Sequence, residues 1–284
     1  MTEPTSSSSA LPPTTGERRR RVRVQHLAAA KSAGEPLTML TAYDAITGRI
    51  FDEAGIDLLL VGDSIGDNML GHPNTIPVTM DELIPAVRAV SRSTSRAMVV
   101  ADLPFGSYEA SPAHAWEASV RMFKEGGAHA VKIEGGGHLA EHVRLLTEAG
   151  MPVFGHLGLT PQAENILGGK RVQGRTEAAA EAMLADAEAL QRAGAVAIVL
   201  EMVPAPVAQR ISATLQVPTI GIGAGAGCDG QVLVWVDMAG MGSWSPRFAK
   251  QFGQVGEALR SAAQDYATQV RQGEFPGEEH SFRA

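Results

Sequence analysis

A single cysteine, Cys228, stands in a chain of 284 residues. No disulfide framework can close within the chain, and such usage suits a reducing compartment. No stretch of about 18 consecutive apolar residues occurs, so hydropathy offers no helical membrane span. Basic residues are outnumbered: 24 Lys and Arg face 31 Asp and Glu, a formal net charge of −7. A pI near 5.6 leaves no basic face of the kind a dedicated nucleic-acid binder carries. What is present is a chain 44% hydrophobic and 19% charged, the balance of a globular protein. At this length roughly three quarters of the unfolded surface can be buried in one core. The expected class is a cytoplasmic α/β enzyme that binds neither nucleic acid nor membrane.

Charge is uneven along the chain. Residues 1–23 carry Arg18, Arg19, Arg20, Arg21 and Arg23 against Glu3 and Glu17, a net of +3, which leaves −10 for the rest. The opening MTEPTSSSSALPPTTGERRRR is rich in Ser, Thr and Pro and supplies nothing to a core. Residues 1–21 are therefore expected to form a disordered, solvated tail, with 22–284 as one domain. The segment after the arginines, VRVQHLAAAKSAG, is too polar to be the apolar stretch of a secretory or twin-arginine signal.

From residue 36 one pattern repeats: a short apolar run, then a helical stretch. Eight runs occur, at 36–44, 57–64, 97–105, 130–136, 151–158, 195–204, 217–225 and 230–237. They are near-continuous in Val, Ile, Leu and Met, without polar alternation, as in strands buried on both faces of a parallel sheet. Helix punctuation lies between them. Ser111 with Pro112 predicts a helix start and Gly126 its close. Thr79 and Glu82 have capping-box spacing, with Pro85 expected to kink the helix that follows. Thr176–Ala193 reads as a helix ending at Gly194, and a last helix is expected over 246–270. Eight strands with helices between them predict a single-domain (β/α)8 TIM barrel. The short link between the last two runs has no room for a helix, which keeps an open doubly wound sheet as the alternative.

In such barrels chemistry sits at the C-terminal ends of the strands. Those positions hold Asp63 and Ser64, Asp102, Lys132 and Glu134, His156, and Glu201. Four different apolar runs end in a carboxylate, and desolvated charge of one sign calls for a cation. Convergent carboxylates make an oxygen-rich site for a hard divalent ion, with Mg2+ favoured because it keeps waters and takes substrate oxygens. Lys132, two residues before Glu134, lies on the same side of its strand; it either pairs with that acid or binds an anionic substrate.

At these residues the chain resembles a known family. The segments TAYDAITGRIFDEAGIDLLLVGDS, VVADLPFGSY, HAVKIEGGGH, GHLGLTPQ, GGKRVQGR, LEMVPAPVA, VPTIGIGAG, CDGQVLVWVDM and FPGEEHSF are similar, in order and spacing, to those of the 3-methyl-2-oxobutanoate hydroxymethyltransferases, from about Val22 to Phe282. The resemblance implies a (β/α)8 barrel assembled as a homo-oligomer, typically a decamer. It also implies transfer of a one-carbon unit from 5,10-methylenetetrahydrofolate to 3-methyl-2-oxobutanoate, giving 2-dehydropantoate. Carried over by position, it places the Mg2+ ligands at Asp63, Asp102 and Glu134. The oxo-acid contacts fall on Ser64, Asp102 and Lys132, and the proton acceptor on Glu201, a base expected to be shielded from water. The nearest rival is a Mg2+-dependent lyase or mutase of the phosphoenolpyruvate mutase type, which shares the barrel and the enolate logic.

Three further motifs invite other readings. His138, Glu141 and His142 match the H-x-x-E-H zinc pattern but fall on a helix after the fourth strand, outside the barrel, with no third ligand evident. The glycines 221, 223, 225 and 227 lack the following helix that a dinucleotide loop requires, so tight packing at the barrel mouth is expected. Residues 155–175 form a long loop without hydrophobic periodicity, expected to be a lid or ligand wall.

Overall fold

The structure, a computed structural model, describes residues 20–283. Of the tail expected at 1–21, residues 1–19 lie outside the described residues. Arg21, assigned to that tail, is instead anchored: its guanidinium donates to the carbonyls of Ala97 (2.8 Å) and Thr94 (2.7 Å).

All eight apolar runs are strands: β1 Leu37–Thr41, β2 Leu58–Val61, β3 Met98–Asp102, β4 Ala130–Glu134, β5 Val153–Gly158, β6 Ala197–Glu201, β7 Thr219–Ile222 and β8 Gly230–Leu233. Each pairs in parallel with the next, and β8 returns to β1 in the register Leu37↔Gly230 through Leu40↔Leu233. The sheet is a closed TIM barrel, which rules out the open doubly wound alternative. Around it run α1 Val24–Ala33, α2 Ala45–Glu53, α3 Met80–Ser93, α4 Pro112–Arg121, α5 Ala140–Glu148, α6 Glu164–Leu167, α7 Glu177–Arg192, α8 Ala205–Thr214, α9 Trp235–Met238 and α10 Val255–Gln272. No described helix is long and apolar enough to cross a membrane.

Alternation of side chains along each strand divides the continuous apolar runs between two cores. Leu58, Leu60, Met98, Val100, Ala130, Phe154, Ala197, Val199 and Ile220 fill the barrel interior, and Leu27 of α1 joins them. The intervening residues, among them Leu59, Val61, Val99, Val131, Ile133, Ile198 and Leu200, pack against the helices. This parity decides where the polar strand ends point.

The caps follow the sequence closely. Thr79 accepts from the Glu82 amide while the Glu82 carboxylate accepts from Thr79 N–H, and α3 runs unbroken through Pro85. Ser111 caps α4 by accepting from His114 N–H. The close of that segment differs by one residue. Gly127 (φ +73°) supplies the left-handed turn, whereas a Cβ on Gly126 would lie 2.8 Å from Val87 Cγ1. Gly126 is thus needed for close approach to α3. Thr176 caps α7 as expected.

One connection agrees with the sequence reading and another departs from it. No helix follows β7. Its place is taken by Asp229, whose Oδ2 accepts from Thr219 N–H (2.8 Å) and pairs with Lys31 of α1 (2.8 Å). The last helix begins at Val255 and not near 246, because the chain before it folds back on α9: Phe252 N–H bonds Met238 O and Val255 N–H bonds Ala239 O.

Candidate active site

On β3, β4, β5 and β6 the inward parity that begins with Met98, Ala130, Phe154 and Ala197 ends, two or four residues later, on Asp102, Lys132 with Glu134, His156 and Glu201. The polar ends therefore project into the upper barrel, on the same inward side as the apolar residues below them. Strand register then chooses neighbours. Asp102 pairs with Lys132, and Glu134 with His156. Lys132 Nζ lies 2.6 Å from Asp102 Oδ1 and 3.4 Å from Glu134 Oε1. His156 Nδ1 is 3.0 Å from Glu134 Oε1, and its Nε2 is 3.4 Å from Glu201 Oε2. The histidine thus stands between the metal-side acids and the expected base.

Asp63 and Ser64 follow β2. Asp63 N–H approaches Asp102 Oδ2 at 3.3 Å, and Gly62 permits this: a Cβ there would fall 2.4 Å from the same oxygen. Ser64 Oγ shares a 2.8 Å hydrogen bond with Tyr43 OH. The structure gathers every expected site residue at this one mouth.

It adds residues that the pattern of strand ends did not reveal. Gln162, buried in the loop after β5, donates from Nε2 to Asp63 Oδ2 (2.9 Å) and to Leu103 O (3.0 Å). Its backbone N–H reaches Glu134 Oε2 at 3.0 Å. Tyr108 OH accepts from Glu134 N–H (3.1 Å) and donates to Gln162 Oε1 (2.7 Å). Gln162 therefore orients two acids, Asp63 through its side-chain amide and Glu134 through its backbone N–H, much as outer hydrogen bonds orient metal ligands. Replacing it, Gln162→Met, is expected to weaken divalent-cation affinity about 10- to 100-fold. Mn2+ binding followed by electron paramagnetic resonance checks this; an affinity within twofold of wild type would show that Asp63 holds its place without that side chain.

Charge explains the remaining features. Burial, then the neighbouring Asp102 and Glu134, push the Asp63 carboxyl well above the usual carboxylate range. Burial also raises Asp102, against the pull of Lys132. Burial would raise Glu134 too, but Lys132 and His156 outweigh it and hold it low. Burial and Lys132 work against a charged His156, yet Glu134 and Glu201 prevail and push it up to about 9. Glu201 keeps 18% of its side chain exposed, which corrects the expectation of a base sealed from water. The chain turns sharply after it. Met202 adopts φ +48°, a left-handed conformation that costs a non-glycine residue about 1–2 kcal/mol, and its N–H and O are tied to Ile222 O and Gln173 N–H.

Four acids against one lysine and one histidine leave this desolvated mouth short of positive charge. Lys132 Nζ lies between Asp102 and Glu134, and among the described residues no three His, Cys, Asp or Glu are preassembled around a metal. The donor set still fits a hard divalent ion. Asp63 and Asp102 are buried side by side, hard oxygen donors that share the charge of Lys132, and burial with the charges of Asp102 and Glu134 pushes Asp63 up. Asp63 and Asp102 would hold such an ion directly, with Glu134 behind them.

The other motifs fall elsewhere. His138 is exposed and His142 lies buried at the start of α5, outside the barrel as expected. Gly223 (φ +61°) packs against Phe248, and Gly221 against Cys228, whose thiol burial pushes up. The loop expected over 155–175 is shorter, since 155–158 belong to β5 and 164–167 form α6; the segment 159–175 crosses the mouth: Lys170 Nζ lies 3.6 Å from Asp67 Oδ2, beyond β2, and Gln173 N–H bonds Met202 O, beyond β6. That path is that of a lid.

Comparison with known proteins agrees with this arrangement. The chain is 59% identical to the 3-methyl-2-oxobutanoate hydroxymethyltransferase of Saccharopolyspora erythraea, covering 93% of this chain and 90% of that one. It is 58% identical to the protein of the same name from Thermobifida fusca, covering 94% and 95%. A crystal structure of 2,3-dimethylmalate lyase, a member of the PEP mutase/isocitrate lyase superfamily, superposes with a TM-score of 0.57 at 15% identity, over 92% of this chain and 91% of that one; at that identity the likeness is one of fold. The sequence model described as ketopantoate hydroxymethyltransferase matches residues 21–278, a span that contains every strand and every acid of the mouth, and the chain belongs to the ketopantoate hydroxymethyltransferase family.

Proposed function

We propose that this enzyme moves a one-carbon unit from 5,10-methylenetetrahydrofolate to C3 of 3-methyl-2-oxobutanoate, with Mg2+ as the resident ion. The observation that carries the reading is the division of the mouth. Asp63, Asp102 and Glu134 stand on one side and Glu201 on the other, with His156 between them. A bound Mg2+ would polarise the 2-oxo group and stabilise the negative charge that develops there. Lys132 and Ser64 hold the substrate carboxylate and ketone, so that C3 is presented towards β6. Glu201 accepts the C3 proton. His156, touching Glu201 Oε2, fixes the direction of that carboxylate. The resulting enolate carbon bonds to the donated methylene as one of its two C–N bonds to folate breaks; water breaks the second, giving its hydroxyl to the methylene, and its proton and the one taken from C3 pass to the two folate nitrogens. 2-Dehydropantoate and tetrahydrofolate then leave.

The resemblance extends to a homodecamer in the cytoplasm. α10 supports an assembly of some kind: it buries no residue within its own subunit and exposes Leu259, Tyr266 and Val270, an apolar face a second copy would cover.

Proton NMR of 3-methyl-2-oxobutanoate in D2O tests the reading. Enzyme with Mg2+ should erase the C3 proton signal without folate, chelator should stop the loss, and 2-dehydropantoate should form only when methylenetetrahydrofolate is added. Folded protein that shows neither exchange nor product would overturn it in favour of the lyase-type reaction.

A further inference from the structure

A cleft of about 420 Å³ opens at the mouth between the loops that follow β3, β4 and β5. That volume lies within the range of small-molecule sites. Glu134 and Gln162 line it and also belong to the acid cluster, so an occupant stands directly beside the oxo-acid pocket. Two large apolar side chains from different loops line it as well: Phe105, 49% exposed, and Ile166 of the lid, 88% exposed. Apolar surface left this open beside a polar centre marks a binding face. Tyr108 contributes an aromatic wall.

One polar group in the cleft is held in advance. Both carboxylate oxygens of Glu109 accept from Gly106 N–H at 3.0 Å, and Oε2 also accepts from Tyr108 N–H at 3.1 Å. The loop thus fixes the orientation of Glu109, and a carboxylate, with about four acceptor sites, keeps capacity for another donor. A fixed anion among apolar and aromatic walls selects a flat, uncharged ring with a hydrogen-bond donor edge. It disfavours the anionic oxo acid, which Glu109 and Glu134 would both repel.

We propose that this cleft seats the reduced pterin head of the folate donor, with Phe105 and Ile166 against its faces and Glu109 accepting from its amino and ring N–H donors. The assignment rests on the folate-dependent transfer put forward above and gives that co-substrate a place next to the enolate. The pterin is neutral, so it enters beside the acids without adding negative charge. Ile166 belongs to the segment that crosses the mouth, so lid and donor meet in one contact.

Glu109, Phe105 and Ile166 touch none of the groups that bind or deprotonate the oxo acid, and this makes the idea separable from the reaction itself. The test is calorimetric titration of tetrahydrofolate into wild type, Glu109→Gln, Phe105→Ala and Ile166→Ala, with folate-free C3 proton exchange measured in parallel. The expected result is an affinity about tenfold weaker for Glu109→Gln and Phe105→Ala, a smaller loss for Ile166→Ala, and exchange rates equal to wild type. Unchanged affinity in all three variants would overturn the proposal while leaving the transfer reaction standing. So would exchange that falls with affinity, since the cleft would then serve the oxo acid. Wild type that exchanges no proton and binds no tetrahydrofolate would overturn the transfer reaction and this site together.

Discussion

Glu201→Gln is expected to leave the barrel folded and lower C3 proton exchange by about 10³-fold, the middle of the range for loss of a general base. The backbone at this position is held independently of the side chain. Leu159 N–H bonds Glu201 O, Met202 N–H bonds Ile222 O, and the strand register runs Gly158↔Glu201↔Ile222. The glutamine keeps an oxygen for His156 but cannot take a proton. Thermal unfolding should therefore stay within a few degrees of wild type while the NMR exchange signal persists for hours. Exchange within threefold of wild type would transfer the role of base to another group at the mouth.

The second large effect concerns stability. Lys132 is 3% exposed and is the lysine that touches both Asp102 and Glu134. Lys132→Met leaves buried carboxylates facing one another with only His156 to offset them. Breaking a buried ion pair from one side costs about 3–5 kcal/mol, which in a domain of this size lowers the melting temperature by roughly 10 °C. Turnover is lost as well, because the oxo-acid carboxylate loses its cation. The double variant Lys132→Met/Asp102→Asn removes one charge of each sign, and should melt several degrees above the single variant while remaining inactive. Calorimetric melting of the three proteins checks this. Equal melting temperatures for single and double variants would mean that the cluster relaxes its charge in some other way.

Both expectations concern a site that is partly legible in the amino-acid sequence. The eight apolar runs are the eight strands, since strands buried on both faces need continuous Val, Ile and Leu, a pattern that survives in any parallel barrel. The helix caps at Thr79, Ser111 and Thr176 are readable because they depend on residues three apart in the chain. The helix ends are less so. Gly126 and Gly127 are both credible terminators in the sequence, and only packing against Val87 separates their tasks. The start of α10 is hidden as well, because the fold-back that lays Phe252 N–H on Met238 O depends on where α9 sits.

Gln162 shows most clearly where the sequence falls silent. It lies in a loop with no hydrophobic period, 28 residues from Glu134 and 99 from Asp63. Nothing local distinguishes it from an ordinary polar loop residue. Its importance comes entirely from where the loop after β5 folds back. The same holds for Glu109 and Ile166, which meet in one cleft although 57 residues apart.

The residue pattern by itself determined the eight-strand barrel and the chemistry at its strand ends. Parity along a strand is local, and a carboxylate that ends an apolar run has one sensible exit, the mouth. Tertiary structure alone decided which ends touch: closure of β8 on β1, the stagger that sets Lys132 beside Asp102 and His156 beside Glu134, and the loop that brings Gln162 onto two acids. Register, closure and loop path depend on the packing of the whole ring, and no short stretch of sequence contains them.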